Sequence, residues 1–168
     1  TVRGQKYLQQ ADQIIYAGSL VNPALLDMKK ETAIVKNSAY MTLEEVIQAI
    51  CEEEEKGGLT VRLHTGDPCL YGAIREQMDE LDARGISYEV CPGVSSFSGA
   101  AAALQAEYTL PSISQSVVIT RMAGRTPVPE RESIRAFAAH GATMVIFLSA
   151  GMLPKLQEEL LLGGYTED

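Results

Sequence analysis

The sequence predicts an α/β fold built as two α/β domains, with a mainly parallel sheet in the first. Three observations predict it. Short apolar β-prone runs alternate with amphipathic helical segments, each run ends in turn-forming residues, and the pattern restarts after Tyr108. Strand–helix–strand at this rhythm calls for parallel strands joined by right-handed crossovers.

The elements follow in order. "DQIIYAG" (12–18) and "TAIVKN" (32–37) read as buried strands that end in turn residues. In "MTLEEVIQAICEEEEKGG", Thr42 and Glu45 have capping-box spacing, Met41 and Val46 form a hydrophobic staple, and Gly57 is the stop. Leu43, Val46, Ile47 and Ile50 share a face of that helix, while the acidic run Glu52–Glu55 is expected at its solvated end. A strand over Thr60–His64 leads into the loop "TGDPCLYG". A helix follows with Ile74, Met78 and Leu81 on one face and Gly85 as its end. "ISYEV" (86–90) reads as the next strand, and "VSSFSGAAAALQ" as an alanine-rich helix. "TLPSISQ" reads as a linker. Beyond it, "SVVITRM" and "TMVIFLSA" are strands around the loop and helix "PVPERESIRAFAAHG". "GMLPKLQEELLLGG" is a helix with Pro154 early and Gly163 late. The domains are accordingly 1–112 and 113–168. Both ends, the methionine-free opening at Thr1 and the closing "GGYTED", read as cuts through a longer protein.

Composition narrows the function classes. A formal charge of −8 argues against a nucleic-acid surface, because phosphate neutralisation needs clustered Lys and Arg. No apolar run approaches the roughly 20 residues that span a bilayer. Three scattered cysteines, Cys51, Cys69 and Cys91, give neither a disulfide framework nor a zinc site, so a reducing cytoplasm is the expected compartment and no metal site is expected.

Two loops carry the candidate chemistry. Thr65-Gly66-Asp67-Pro68 follows a strand and so lies at the carboxyl edge of the sheet, where open α/β folds bind ligands. Gly66 permits close approach of a ligand to the backbone. Asp67 repels phosphate and suits a ligand with hydroxyls or positive charge. The plainer reading is a strand-to-helix turn capped by Asp67. Pro92-Gly93-Val94-Ser95-Ser96 occupies the same edge one strand later, where either serine can cap a helix or leave backbone N–H groups for a polar ligand. Neither a Gly-x-x-x-x-Gly-Lys-Ser/Thr loop nor a Gly-x-Gly-x-x-Gly fingerprint occurs. Cys69 is expected to be a structural, partly buried thiol and His64 a hydrogen-bonded structural histidine. Arg121 and Arg125, on a proline-stiffened loop at a strand end, suit carboxylate recognition by forked hydrogen bonds. Surface pairing with Glu130 and Glu132 is the competing reading, and the leading one for Arg131 and Arg135.

Taken together, "HTGDPCLYGA", "CPGVSSFSGAAAAL", "VVITR" and "TMVIFLSAGM", in that order, resemble the tetrapyrrole (corrin/porphyrin) methylase family over essentially the whole chain. The segments "YAGSLVNPALL", "NSAYMTLEEV" and "GRTPVPERE" look most like its branch acting at carbon C-11 of precorrin-4 in cobalamin synthesis. The resemblance implies a class III S-adenosylmethionine-dependent C-methyltransferase with the cofactor in a cleft between two domains. By motif matching, Thr65, Gly66 and Asp67 would contact the cofactor, with Leu70 and Tyr71 close behind. Ser95 and Ser96 would form the second cofactor loop, and Leu148 would pack near the cofactor. Arg121 and Arg125 would meet the carboxylates of a tetrapyrrole substrate. The resemblance also implies a homodimer, and a first strand and Gly-rich loop preceding residue 1. It nominates no catalytic base. The rival readings are a superfamily relative acting on another tetrapyrrole position, rRNA or a protein side chain, and an inert fragment.

Overall fold

The structure, a computed structural model, describes residues 1–167, leaving out the side chain of Ser19. Asp168, the last residue of the expected closing turn, lies outside them. The chain divides into two compact units, Thr1–Ser98 and Gly99–Asp168.

The first unit opens on a helix that the apolar pattern did not reveal, α1 (Val2–Gln10). Thr1 caps it by accepting a hydrogen bond from the Gly4 N–H. Its burial is confined to Leu8, with Ala11 just beyond it, so the apolar signal is too sparse to read as a period. Three short strands follow: β1 (Gln13–Tyr16), β2 (Ile34–Asn37) and β3 (Thr60–Leu63). They form a sheet in the order β2-β1-β3, and both pairings are parallel.

Period-2 alternation divides the central strand between two layers. Ile14 packs with Leu8 and Ala11, with Val61 and Leu63 beside them. Ile15 faces the other way, into Val46, Ile47, Ala49, Ile50 and Leu81. Both faces of the sheet are therefore covered, as parallel sheets require.

The helix α2 (Leu43–Glu54) begins with the expected capping box. The Thr42 hydroxyl accepts from the Glu45 N–H, and the Glu45 carboxylate accepts from the Thr42 N–H. The acidic run at its end is not wholly solvated, however. Glu53 is buried and pairs with Lys56 at 3.1 Å. Position 53 lies seven residues after Val46 and three after Ile50, so helical spacing returns it to the apolar face. The next helix, α3 (Arg75–Ala83), buries Leu81 and stops at Gly85, whose φ is +66°.

The expected strand over Ile86–Val90 does not form. Ile86 donates its N–H to Leu81 at the end of α3, and residues 86–90 pair with no strand among the described residues. The reason lies in β3. One edge of β3 pairs with β1, while the other faces a cavity of about 930 Å³ that also borders residues 86–94. With no neighbour in ladder distance, an extended segment has no sheet to join.

The chain passes into the second unit within α4 (Ser96–Leu104). That unit holds a two-stranded parallel sheet, β4 (Val117–Arg121) beside β5 (Thr143–Phe147). Helices α5 (Ile134–Ala138) and α6 (Leu153–Leu162) pack closely together. A Cβ on Gly163 would overlap Ala138, and Arg135 reaches Glu159 at 3.5 Å. Arg131 pairs with Glu132 at 3.6 Å as expected, whereas the partner of Arg135 is on α6 rather than nearby in sequence. No described helix is long and apolar enough to cross a membrane.

Candidate functional site

In the first unit, the loops after β3 and before α4 meet at the carboxyl end of the sheet. Their contact is between backbones. A Cβ on Gly93 would overlap the Gly66 carbonyl oxygen, and Gly66 itself approaches the Ser95 Cα. Gly66 holds φ at +68°, a conformation that bulkier residues resist. Within the first loop, a Cβ on Gly72 would overlap the Pro68 carbonyl.

Asp67 fastens this contact. One carboxylate oxygen accepts the Cys69 N–H at 2.8 Å, and the other accepts the Gly93 N–H at 2.8 Å. These bonds, that from Gly93 first, hold its carboxyl below the ordinary aspartate value. Two oxygens offer about four lone-pair sites. Asp67 therefore keeps capacity for a hydroxyl or amine donor while it staples the loops. Both readings of this aspartate, local turn and ligand acceptor, are compatible with that geometry.

Thr65, Tyr71 and Ser96 are exposed, Leu70 is half-buried, and Ser95 is buried. The structure thus brings Thr65, Gly66, Asp67, Leu70, Tyr71, Ser95 and Ser96 onto one loop pair. Polar atoms open to a ligand, an acid with spare acceptors and glycine backbones without side-chain shielding fit a cofactor that carries hydroxyls and an amine. Tyr71 and Ala73 both hold left-handed φ, 58° and 49°, which costs a non-glycine residue about 1–2 kcal/mol. Strain of this kind concentrates where loops serve ligands.

Two sequence expectations fail here. Cys69 is exposed rather than partly buried. Its thiol is pushed up, by desolvation first and then by the Asp67 carboxylate, which leaves less of the nucleophilic thiolate. His64 is not hydrogen-bonded through both nitrogens, since its buried Nε2 has no partner. Burial and then the charge of Arg62 lower its pKa to about 4, so the imidazole is neutral at pH 7.

Arg62 is a residue that the sequence reading passed over. Its half-buried guanidinium donates to the Ile15 carbonyl at 2.9 Å, the Ser38 hydroxyl at 2.8 Å and the Gln77 amide oxygen at 3.1 Å. It thereby ties β1, the turn after β2 and α3 to the strand that carries the first loop. A charged residue in the middle of a four-residue strand was the available signal.

In the second unit, Leu148 follows β5 with φ of 55° and is 70% exposed. Next to it, the buried Ser149 hydroxyl accepts the Met122 N–H at 3.1 Å and donates to the Phe147 carbonyl at 2.7 Å. One hydroxyl thus joins the ends of β4 and β5, and nothing in the sequence pattern marked it. Arg121 donates to the carbonyls of Met122, Thr126 and Pro127, at 3.1, 3.2 and 3.0 Å. Arg125 is exposed on the loop so folded, and among the described residues no acid pairs with it. Arg121 shapes this loop. Removing its guanidinium by Arg121→Ala is expected to cost about 1 kcal/mol and to speed proteolytic nicking of residues 122–127. An unchanged nicking rate would mean that the three carbonyl bonds do not order the loop.

Among the described residues, no group of three or more His, Cys, Asp or Glu side chains is placed to hold a metal ion. The family model of the tetrapyrrole (corrin/porphyrin) methylases matches residues 1–168. The chain belongs to that family.

Other members lie close in sequence. The cobalt-precorrin-4 C(11)-methyltransferase of Methanocaldococcus jannaschii is 52% identical over 168 residues, 100% of this chain and 65% of that protein. The precorrin-4 C(11)-methyltransferase of Pseudomonas aeruginosa is 44% identical over 161 residues, 96% of this chain and 64% of that protein. Among solved structures, a cobalamin biosynthetic enzyme described as cobalt precorrin-4 methyltransferase superposes with a TM-score of 0.97 at 45% identity. The match covers 100% of this chain and 70% of that one. The chain therefore spans just under two thirds of the length of these two methyltransferase relatives. The α/β class expected from the sequence is the class of this tetrapyrrole methylase fold.

Proposed function

We propose that this chain is the larger part of an S-adenosylmethionine-dependent C-methyltransferase acting at C-11 of precorrin-4 or cobalt-precorrin-4, on the route to cobalamin. The observation that carries the reading is identity of 52% across all 168 residues with a relative that bears that name. The loop pair joined by Asp67 supports the cofactor half of it.

Bound S-adenosylmethionine supplies a methyl group already activated on a sulfonium, and the macrocycle supplies the carbon nucleophile. The residues of this chain then have to bind, align and exclude water. Thr65, Gly66, Asp67, Leu70, Tyr71, Ser95, Ser96 and Leu148 hold the cofactor in this reading, and Asp67 offers its remaining acceptor sites to a hydroxyl or amine. Alignment alone can account for roughly 7–11 kcal/mol of barrier in favourable cases. The substrate carries several carboxylates while the chain has a formal charge of −8, so local cations must receive them. Arg125 meets a carboxylate, with Arg121 holding its loop and adding positive potential. Cobalt, where present, arrives as part of the substrate. In this reading the first domain runs over residues 1–112 and the second from 113, and the enzyme is a homodimer in a reducing cytoplasm.

Calorimetry of the chain with S-adenosylhomocysteine tests the cofactor half, with a saturable heat as the expected result. Absence of heat at millimolar ligand would remove cofactor binding from this stretch of sequence. Methyl transfer by the full-length protein, offered metal-free and cobalt-bearing substrate side by side, tests the other half. Arg125→Ala is expected there to raise KM while leaving S-adenosylhomocysteine binding unchanged.

A further inference from the structure

The loop after β3 ends in a segment whose backbone is unfavourable for its own residues. Tyr71 and Ala73 both hold left-handed φ, with Gly72 pressed between them against the Pro68 carbonyl. Such a segment persists only where its surroundings fix it. At its near end, Asp67 supplies the fixing bonds. At its far end the Gln77 side chain, on α3, does so: its Nε2 donates to the Ala73 carbonyl at 3.1 Å. We propose that Arg62 and Gln77 are positioning residues for the cofactor loop, acting in series through that carbonyl. The inference deepens the cofactor reading above and rests on it for the identity of the ligand.

The series follows from what each group has to offer. A glutamine amide has an acceptor end and a donor end of nearly equal size, so shape alone leaves two orientations open. Only one of them donates to Ala73. Arg62 selects it. Its Nε–H donates to Gln77 Oε1 at 3.1 Å, and a guanidinium has donors but no acceptor. The opposite orientation would set the amide hydrogens against the guanidinium and the amide oxygen against the Ala73 carbonyl. The donor that holds the end of the loop is therefore fixed by a residue on the strand before it.

Arg62 is in turn held by the sheet. Its Nη1 donates to the carbonyl of Ile15, a wholly buried residue of the central strand, at 2.9 Å. Its Nη2 donates to the Ser38 hydroxyl at 2.8 Å, and that hydroxyl donates to the Tyr16 carbonyl at 3.1 Å. The planar fork thus spends its N–H groups on β1, on the turn after β2 and on α3, which a lysine ammonium on its flexible stem does not reproduce. A line of hydrogen bonds runs from the middle of the sheet to the strained turn, wholly within the first unit. Asp67 and Gln77 grip the loop from its two ends, and in the cofactor reading Tyr71 takes its place from both grips.

The test uses the full-length protein with Gln77→Glu and Arg62→Lys, singly and together. A carboxylate at position 77 keeps an acceptor for Arg62 and strengthens that contact, but it has no hydrogen for the Ala73 carbonyl. The urea midpoint of Gln77→Glu is expected to match the parent's, while its affinity for S-adenosylhomocysteine falls roughly tenfold. The backbone resonances of Tyr71 and Ala73 should shift in the same variant. A merely structural side chain would move midpoint and affinity together. Arg62→Lys should weaken binding in the parent background and add little to Gln77→Glu, because both disable the same donor. The proposal is overturned if Gln77→Glu binds as tightly as the parent, if its midpoint falls along with its affinity, or if the two losses add in full. Should the parent itself take up no S-adenosylhomocysteine, the cofactor reading fails and the resonances decide alone. Unshifted Tyr71 and Ala73 signals would then overturn the relay, and shifted ones would leave it standing as the device that shapes the loop.

Discussion

Gly93→Ala is expected to separate the two loops at the carboxyl edge of the first sheet. The added methyl overlaps the Gly66 carbonyl and lies 3.1 Å from the Asp67 Cα. Both obstacles are main chain, so no side-chain rotation relieves them. The loops have to part, and the hydrogen bond from the Gly93 N–H to Asp67 is lost with the contact. Overpacking of this kind, with one charge-assisted bond broken, is expected to cost about 3 kcal/mol. Urea denaturation of parent and variant reads it as a lower midpoint at unchanged slope. S-adenosylhomocysteine affinity should fall on the order of a hundredfold if the loops hold the cofactor. Gly99→Ala is the control. No atom lies within 4 Å of the added methyl in α4, and alanine is the better helix former by about 1 kcal/mol. Equal effects at positions 93 and 99 would sink the claim that backbone contact makes Gly93 necessary.

Removing the Asp67 carboxylate should be nearly as disruptive, and its effect should depend on pH in a definite sense. Asp67→Ala leaves the Gly93 and Cys69 N–H groups without their acceptor, at about 2 kcal/mol, and Asp67→Asn should lose about half of that. The folded protein holds this carboxyl below its ordinary value, by the Gly93 bond first and the Cys69 bond second. The unfolded chain therefore takes up the proton before the folded one does. The stabilisation is complete above the ordinary aspartate value of about 4 and fades as pH falls through the lower folded value. His64 titrates in an adjoining window. Its folded pKa is about 4, so the parent loses stability as pH falls from the ordinary value near 6.5 toward 4. That loss is common to parent and variant and cancels in their difference. The gap between parent and Asp67→Asn should hold constant above pH 5 and close in stronger acid. A gap that persists unchanged at pH 2 would show that the charge of Asp67 does not staple the loops.

The parts legible in the sequence were those fixed by local rules. The capping box at Thr42 and Glu45, the stops at Gly57 and Gly85, and the buried apolar run through Ile14 and Ile15 are properties of neighbouring residues. Each formed where its pattern placed it. The strand at 86–90 was misread because strand formation needs a neighbour, and composition says nothing about who stands alongside. Helix α1 was missed for the converse reason. Its stability comes from packing Leu8 and Ala11 on Ile14, a contact that helical period alone does not announce. The loops around Gly66-Asp67 and Ser95-Ser96 were legible as turn-forming residues after apolar runs, and the structure brings those two loops together. The supporting bonds of Arg62 and Ser149 stayed hidden, since each joins segments that meet only after folding, while those of Arg121 depend on the path of its own loop.

The left-handed backbone at Tyr71 and Leu148 bears on how this protein tolerates substitution. A glycine at either position would relieve about 1–2 kcal/mol of local strain. Leu148 is 70% exposed and Tyr71 43% exposed, so glycine would forfeit little burial at the first position and more at the second. A tyrosine and a leucine therefore stand against the preference of their own backbone, and glycine at either place is the exchange that would stabilise the loop while removing a side chain assigned to the cofactor.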